Sequence, residues 1–156
     1  MSTQGEQMEP VPMLLAMTYR ALGDQFHDRL AQIGLEPLRP AHGYVFRFLK
    51  EKRATTVDIG HHLGVTKQAA AKIVTELDEW GYVLKEPHPT DKRAQYVTLT
   101  TKGRDYLKFA DNLWSDLESE MAEAIGEDTL DTVKQGLAAY LQHVHGEDQP
   151  GLRPVW

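Results

Sequence analysis

Two short stretches of this 156-residue chain carry side chains suited to meeting a polyanion. The first is Thr66-Lys67-Gln68, followed at helical spacing by Ala71, Lys72 and Thr75. A Gln amide pairs with an adenine edge, a Lys ammonium meets guanine, and an Ala methyl touches a thymine methyl, while Lys72 and Thr75, further along, reach the phosphate backbone. The second is Asp91-Lys92-Arg93. An Arg at a hairpin tip can enter a minor groove, where A·T steps concentrate negative potential, and Asp91 can hold its guanidinium in a bidentate pair. Plainer readings stand beside these. Lys67 and Lys72 suit a solvated helix face, the run Ala69 to Ala71 suits helix propensity alone, and Asp91 with Arg93 can simply staple a hairpin.

Other chemistries find less support. The chain has no cysteine, which excludes disulfides, thiolate metal sites and thiol redox sensing. Of its seven histidines, His61 and His62 are adjacent, and His143 and His145 are two apart, so on helices each pair diverges and cannot chelate one ion. There is no phosphate-cradling Gly loop, no nucleophile elbow and no triad picked out by spacing, so the expectation is a non-enzyme with no catalytic residue, metal or cofactor. Arg20, His42 and Arg47 are polar residues beside an apolar stripe where the first two helices meet. They form a candidate ligand-binding set, or else surface and junction residues hydrogen-bonded within the fold.

Charge is partitioned along the chain. The formal charge is −6, yet Arg39 to Lys108 holds 13 basic and 8 acidic residues, while the rest holds 4 and 15. A basic middle between acidic ends fits a nucleic-acid-reading lobe on an acidic scaffold. No apolar run approaches the roughly 20 residues that span a bilayer, and the amino terminus lacks a signal-peptide pattern, so the expected location is cytoplasmic, without a membrane partner.

These residues need elements to position them. Leu15, Tyr19, Leu22, Phe26, Leu30 and Ile33 predict an amphipathic helix over 12–33, and Pro40 opens a second to Lys50. Thr56 is the expected N-cap of a short helix to Leu63, and Thr66 caps a longer one ended by Gly81. Gly60 and Gly64 supply the close crossing and the left-handed turn of a helix-turn-helix. Two β-type runs, Tyr82 to Glu86 and Gln95 to Thr100, flank the turn Pro87 to Arg93 and make a wing. A long helix follows to Ile125 (Tyr106, Leu113, Leu117, Met121 and Ala124 inward), then a last one carrying Leu130, Val133, Leu137, Leu141 and Val144. The expected fold class is mainly α (α+β): a six-helix winged helix-turn-helix with a two-stranded β wing. Its parts are tails at 1–11 and 146–156 and one domain at 12–145, with the reading lobe at 40–103. The helices at 12–33 and 104–145 carry apolar stripes without an evident intrachain partner. Two heads about 34 Å apart are needed to read a palindrome, which predicts a two-fold homodimer through these terminal helices.

Thr66-Lys67-Gln68, the run Leu77 to Val83, Asp91-Lys92-Arg93 and Leu99-Thr100-Thr101-Lys102-Gly103, in that order, resemble the MarR family of winged-helix transcriptional regulators over about residues 13 to 145. Gly60, where the family usually has Ala, and the Ala69 to Ala71 patch depart from its pattern. The resemblance implies a homodimeric regulator of double-stranded DNA, a repressor released from a pseudo-palindromic operator by a small anionic or phenolic effector. The candidate DNA contacts are Thr66, Lys67, Gln68, Ala71, Lys72, Thr75, Asp91, Lys92 and Arg93, the resemblance implying the same roles for Asp91 and Arg93. Proteins similar to MarR bind effectors at the junction that holds Arg20, His42 and Arg47, the candidate effector contacts. The alternatives are a winged-helix protein-interaction module and a metal-responsive regulator.

Overall fold

A computed structural model describes residues 8–148. The tails expected at 1–11 and 146–156 therefore lie outside the described residues, apart from their innermost few. The order is α1 (Val11–Gln32), α2 (Pro40–Phe48), β1 (Ala54–Thr55), α3 (Thr56–Leu63), α4 (Lys67–Glu79), β2 (Val83–Pro87), β3 (Gln95–Leu99), α5 (Thr101–Ile125) and α6 (Glu127–His145). This is the expected six-helix winged helix-turn-helix, with one addition. The two wing strands pair antiparallel from Val83↔Leu99 to Pro87↔Gln95, and the two-residue β1 adds to the other edge of β3 through Ala54↔Val97 and Thr55↔Tyr96. The sheet is thus three-stranded, in the order β1-β3-β2.

Local chemistry accounts for the boundaries. The N-cap of α3 is Thr55, one residue earlier than expected: its hydroxyl accepts from the Asp58 N–H, and the Asp58 carboxylate accepts from the Thr55 N–H. Gly64 follows α3 at φ 67°, a left-handed turn that a side chain would strain. Gly60 lets α3 cross α4, since a Cβ there would lie 3.3 Å from the Val65 carbonyl oxygen. Thr100 caps α5 by accepting from the Gly103 N–H at 3.1 Å, while its own hydroxyl donates to the Gly81 carbonyl at 2.6 Å. Gly103 itself packs on the backbone entering β2. A Cβ on it would sit 2.2 Å from the Tyr82 carbonyl oxygen, a distance no side chain tolerates.

The core lies where α2, α3, α4, the sheet and α5 converge, around Phe46, Leu49, Ile59, Leu63, Leu77 and Tyr82, all essentially without solvent exposure. Each such side chain contributes about 1.5–3 kcal/mol by leaving water. α1 joins it at one end only. Phe26 stacks on Trp114 of α5 at 4.2 Å and Arg29 forks onto Glu120, but Leu15, Tyr19 and Ile33 of the expected inward stripe are exposed. On α5, Ala124 is likewise exposed and Met121 half-buried. On α6 only Leu130 is buried, leaving Val133, Leu137, Leu141 and Val144 in solvent. No helix among the described residues is long and apolar enough to cross a membrane.

Candidate nucleic-acid interface

Helix α4 is amphipathic by a plain division of residue types. Ala70, Ile73, Val74 and Leu77 are buried, and Thr66, Lys67, Gln68, Ala71, Lys72 and Thr75 are exposed. The Thr66 hydroxyl accepts from the Ala69 N–H at 3.1 Å, so this side chain is spent on capping the helix while Lys67 and Gln68 project from its first turn. The outward row is therefore presented from a fixed, well-buried back.

Two polar stitches hold that back in place. Along the helix, the Glu76 carboxylate accepts from the Arg39 guanidinium at 2.8 Å and bonds the His42 Nε2 at 2.7 Å. His42 is wholly buried, and its Nδ1 accepts from the Arg39 N–H at 2.8 Å. Because that N–H can only donate, the ring carries its proton on Nε2 and gives it to Glu76. Burial pushes the His42 pKa down, against the opposing pull of Glu76. Burial would raise the Glu76 carboxyl, but the hydrogen bonds from His42 and Arg39 together hold it below its ordinary value. At the C-terminal end, Lys102 of α5 donates to the Trp80 carbonyl and to Glu36, each at 2.6 Å, and Tyr82 donates its hydroxyl to the same Glu36. Burial pushes the Tyr82 hydroxyl up, and the Glu36 bond adds to the shift.

The wing tip is ordered by its own side chains. His88, half-buried, stacks on Tyr96 at 4.7 Å, and Arg53 lies 4.2 Å from the centre of the Tyr96 ring. The His88 Nδ1 accepts from the Asp91 N–H at 3.0 Å and the Thr90 N–H at 3.2 Å. Asp91 in turn accepts from the Arg93 N–H at 2.9 Å through Oδ1. The bidentate pair expected between Asp91 and Arg93 is not formed. The same Oδ1 lies 3.5 Å from the Arg93 Nε, too long for a firm bond, because the carboxylate is already turned toward the backbone. The Arg93 side chain is 93% exposed and Lys92 is exposed beside it. Both cations are available to an outside phosphate.

The effector set does not assemble in the same way. His42 cannot face a ligand, since both ring nitrogens are spent on Arg39 and Glu76 inside the protein. Arg47 is paired with Asp111 of α5 at 2.7 Å, and Arg20 is exposed on the uncovered part of α1. Two surface clefts open at the other end of α2, one against α3 (Phe48, Lys52, Arg53, Ala54, Asp58, His61, His62) and one against β3 and α5; neither includes Arg20, His42 or Arg47. Among the described residues, no group of three or more His, Cys, Asp or Glu stands together as a metal ion would require. The roles of Glu36, Glu76, Lys102 and His88 are not legible in the sequence. The partners of the first three lie far along the chain, whereas for His88 the one signal is its place between two prolines in a turn, where a local cap can form.

Residues 34–94 match the sequence model of the MarR family. The chain is 28% identical over 95 residues to the HTH-type transcriptional regulator TcaR of Staphylococcus aureus, a match covering 60% of this chain and 63% of that protein, just under two thirds of the relative's length. Among solved structures it is similar to the reduced form of MarR from E. coli, with TM-score 0.77 and 23% identity over 87% of this chain and 99% of that one. It is also similar to the transcriptional repressor CouR bound to a 23-mer DNA duplex (TM-score 0.72, 24% identity, 90% and 98% covered). A further likeness is NadR in complex with 4-hydroxyphenylacetate (TM-score 0.63, 20% identity, 90% and 97% covered).

Proposed function

We propose that this chain, whose residues 34–94 match the sequence model of the MarR family, is a DNA-binding transcriptional repressor acting in the cytoplasm as a homodimer on a pseudo-palindromic operator. One observation carries this reading: an exposed polar row on α4 and an exposed Arg93 and Lys92 on the wing project from a head whose back is fully packed. In this reading the first turn of α4 enters the major groove, where Gln68 and Lys67 meet base edges and Ala71 a thymine methyl. Lys72 and Thr75 lie along phosphates, and Thr66, whose hydroxyl accepts from the Ala69 N–H at the cap, has its proton left to give to one. Arg93 enters the flanking minor groove with Lys92 beside it, and Asp91 acts by shaping the turn that carries both.

The binding test starts from a random-sequence duplex pool passed over the wild-type protein, the retained fragments being sequenced and retitrated at several salt concentrations. A repressor of this kind returns an inverted repeat whose affinity falls steeply with salt. A chain that retains no duplex even at low salt would be a protein-interaction module instead.

Release is assigned to a small anionic or phenolic effector that favours the DNA-incompetent dimer. The complex of the similar NadR with 4-hydroxyphenylacetate supports that chemistry. Arg20 on α1 is the exposed cation offered to it, Arg47 on α2 would have to exchange Asp111 for it, and His42 acts behind them as a clamp bonded to Glu76. Operator DNA must then weaken effector binding by the factor with which effector weakens DNA binding. Calorimetric titration with and without operator measures both.

A further inference from the structure

We propose that His88 is the positioning residue of the wing, holding Lys92 and Arg93 in their DNA-gripping arrangement through its acceptor Nδ1. The inference deepens the DNA-binding reading above and rests on it. Between Pro87 and Ala94 the described backbone makes few bonds of its own: His88 N–H donates to the Ala94 carbonyl at 3.3 Å, and Ala94 N–H to the Asp91 carbonyl at 3.1 Å. Three further amide donors of the tip are met by side chains in series. His88 takes those of Thr90 and Asp91, and Asp91 takes that of Arg93. The first acceptor therefore sets the orientation of the second, and the second sets the backbone from which Arg93 projects.

The ring is itself held. It stacks on Tyr96, whose ring also carries the Arg53 guanidinium, and Tyr96 stands in β3 paired with both Thr55 and Glu86. The acceptor is thereby anchored to the sheet, and Arg93 inherits a position that Asp91 alone, at the exposed tip, could not impose. Because Nδ1 accepts from two N–H groups, the ring proton sits on Nε2. An asparagine Oδ1 stands the same number of bonds from Cα as this nitrogen and can accept as it does in turns of this kind.

The experiment compares His88→Ala, His88→Asn and His88→Phe in the full chain, each alone, and His88→Ala also combined with Arg93→Ala. Amide exchange of the free protein reads the cap directly. Exchange at Thr90 and Asp91 is expected to quicken in His88→Ala and His88→Phe and to return in His88→Asn. On the duplex selected by wild type, His88→Ala and His88→Phe are expected to weaken binding roughly fivefold, the scale of a lost cap, with His88→Asn restoring most of it. On the Arg93→Ala background, His88→Ala should cost much less than it does alone, because the two act in series. Unchanged exchange in His88→Ala, wild-type affinity in His88→Phe, or full additivity with Arg93→Ala would each overturn the proposal. A wild-type chain that retains no duplex overturns the DNA reading and with it the gripping role, whereas exchange at Thr90 and Asp91 decides the cap in either case.

Discussion

The residues that face the proposed DNA differ in the kind of loss each would cause. Arg93→Ala removes an exposed cation that meets phosphates and groove potential whatever the sequence. Binding should weaken on every duplex, and the salt dependence should fall by about one counterion per subunit. Gln68→Ala should instead change the preferred base at one position of each half-site, with about 1–3 kcal/mol of discrimination lost there, as read by repeating the selection from random duplexes. His42 predicts a pH effect with a definite sign. Its folded pKa lies below the ordinary value of 6.5, so as pH falls through that value the unfolded chain takes up a proton that the folded ring refuses. Stability contributed by the buried neutral ring is full above about 6.5 and is lost below it; Glu76, also depressed, adds a loss in the same direction below its ordinary 4.5. The thermal midpoint should drop between about pH 7.5 and about pH 5.5, and His42→Phe, less stable throughout, should show a smaller drop over that window. Equal drops in the two proteins would mean that the ring does not titrate as a buried neutral group.

At the level of elements, what could be read beforehand was what depends on neighbours in the chain. Thr66, Gly64 and Gly81 act within a turn of themselves, so their caps and breaks are legible from spacing alone. Strand β1 is not, because two residues carry no period, and Ala54 and Thr55 become a strand only by meeting Val97 and Tyr96. For His42, spacing could not choose between a ligand contact and a junction hydrogen bond, because the carboxylate that claims it, Glu76, lies on another helix. Asp91 and Arg93 were correctly joined but through the wrong atoms, since type and spacing do not reveal that the Arg93 N–H reaches the carboxylate before the guanidinium does. Gly103 was legible as a motif position without its cause, which is the 2.2 Å approach that a Cβ would make to the Tyr82 carbonyl. Gly103→Ala should therefore push α5 away from the start of β2 and cost about 1–3 kcal/mol by chemical denaturation, although alanine has the better helix propensity. A neutral or stabilising result would show that α5 can shift there without cost.

For the whole molecule, the uncovered apolar faces of α1 and α6 are the largest feature that one chain does not explain. Exposed Met13, Leu15 and Met17 on α1, and Val133, Leu137, Tyr140 and Leu141 on α6, are suited to a second copy. Light scattering at micromolar concentration should give twice the chain mass, and Leu137→Asp with Leu141→Asp should shift it toward one chain and weaken DNA binding with it. A wild-type chain of single mass that still binds an inverted repeat would place the pairing of heads elsewhere.

Helix α6 has 19 residues and a single buried one, Leu130 near its start. A helix with so little of its own chain to lean on owes most of its order to whatever covers it, because helices in proteins are stabilised mainly by packing of their apolar face rather than by propensity. If the proposed second copy covers it, its helical content is borrowed. Dilution would be expected to return the loan, so that a freshly made, unpaired chain is partly unwound at its end and open to proteases there until it finds a second copy. The amount of intact protein in a cell would then rise more steeply than its rate of synthesis, and a regulator built this way would be cleared when scarce and persist when plentiful.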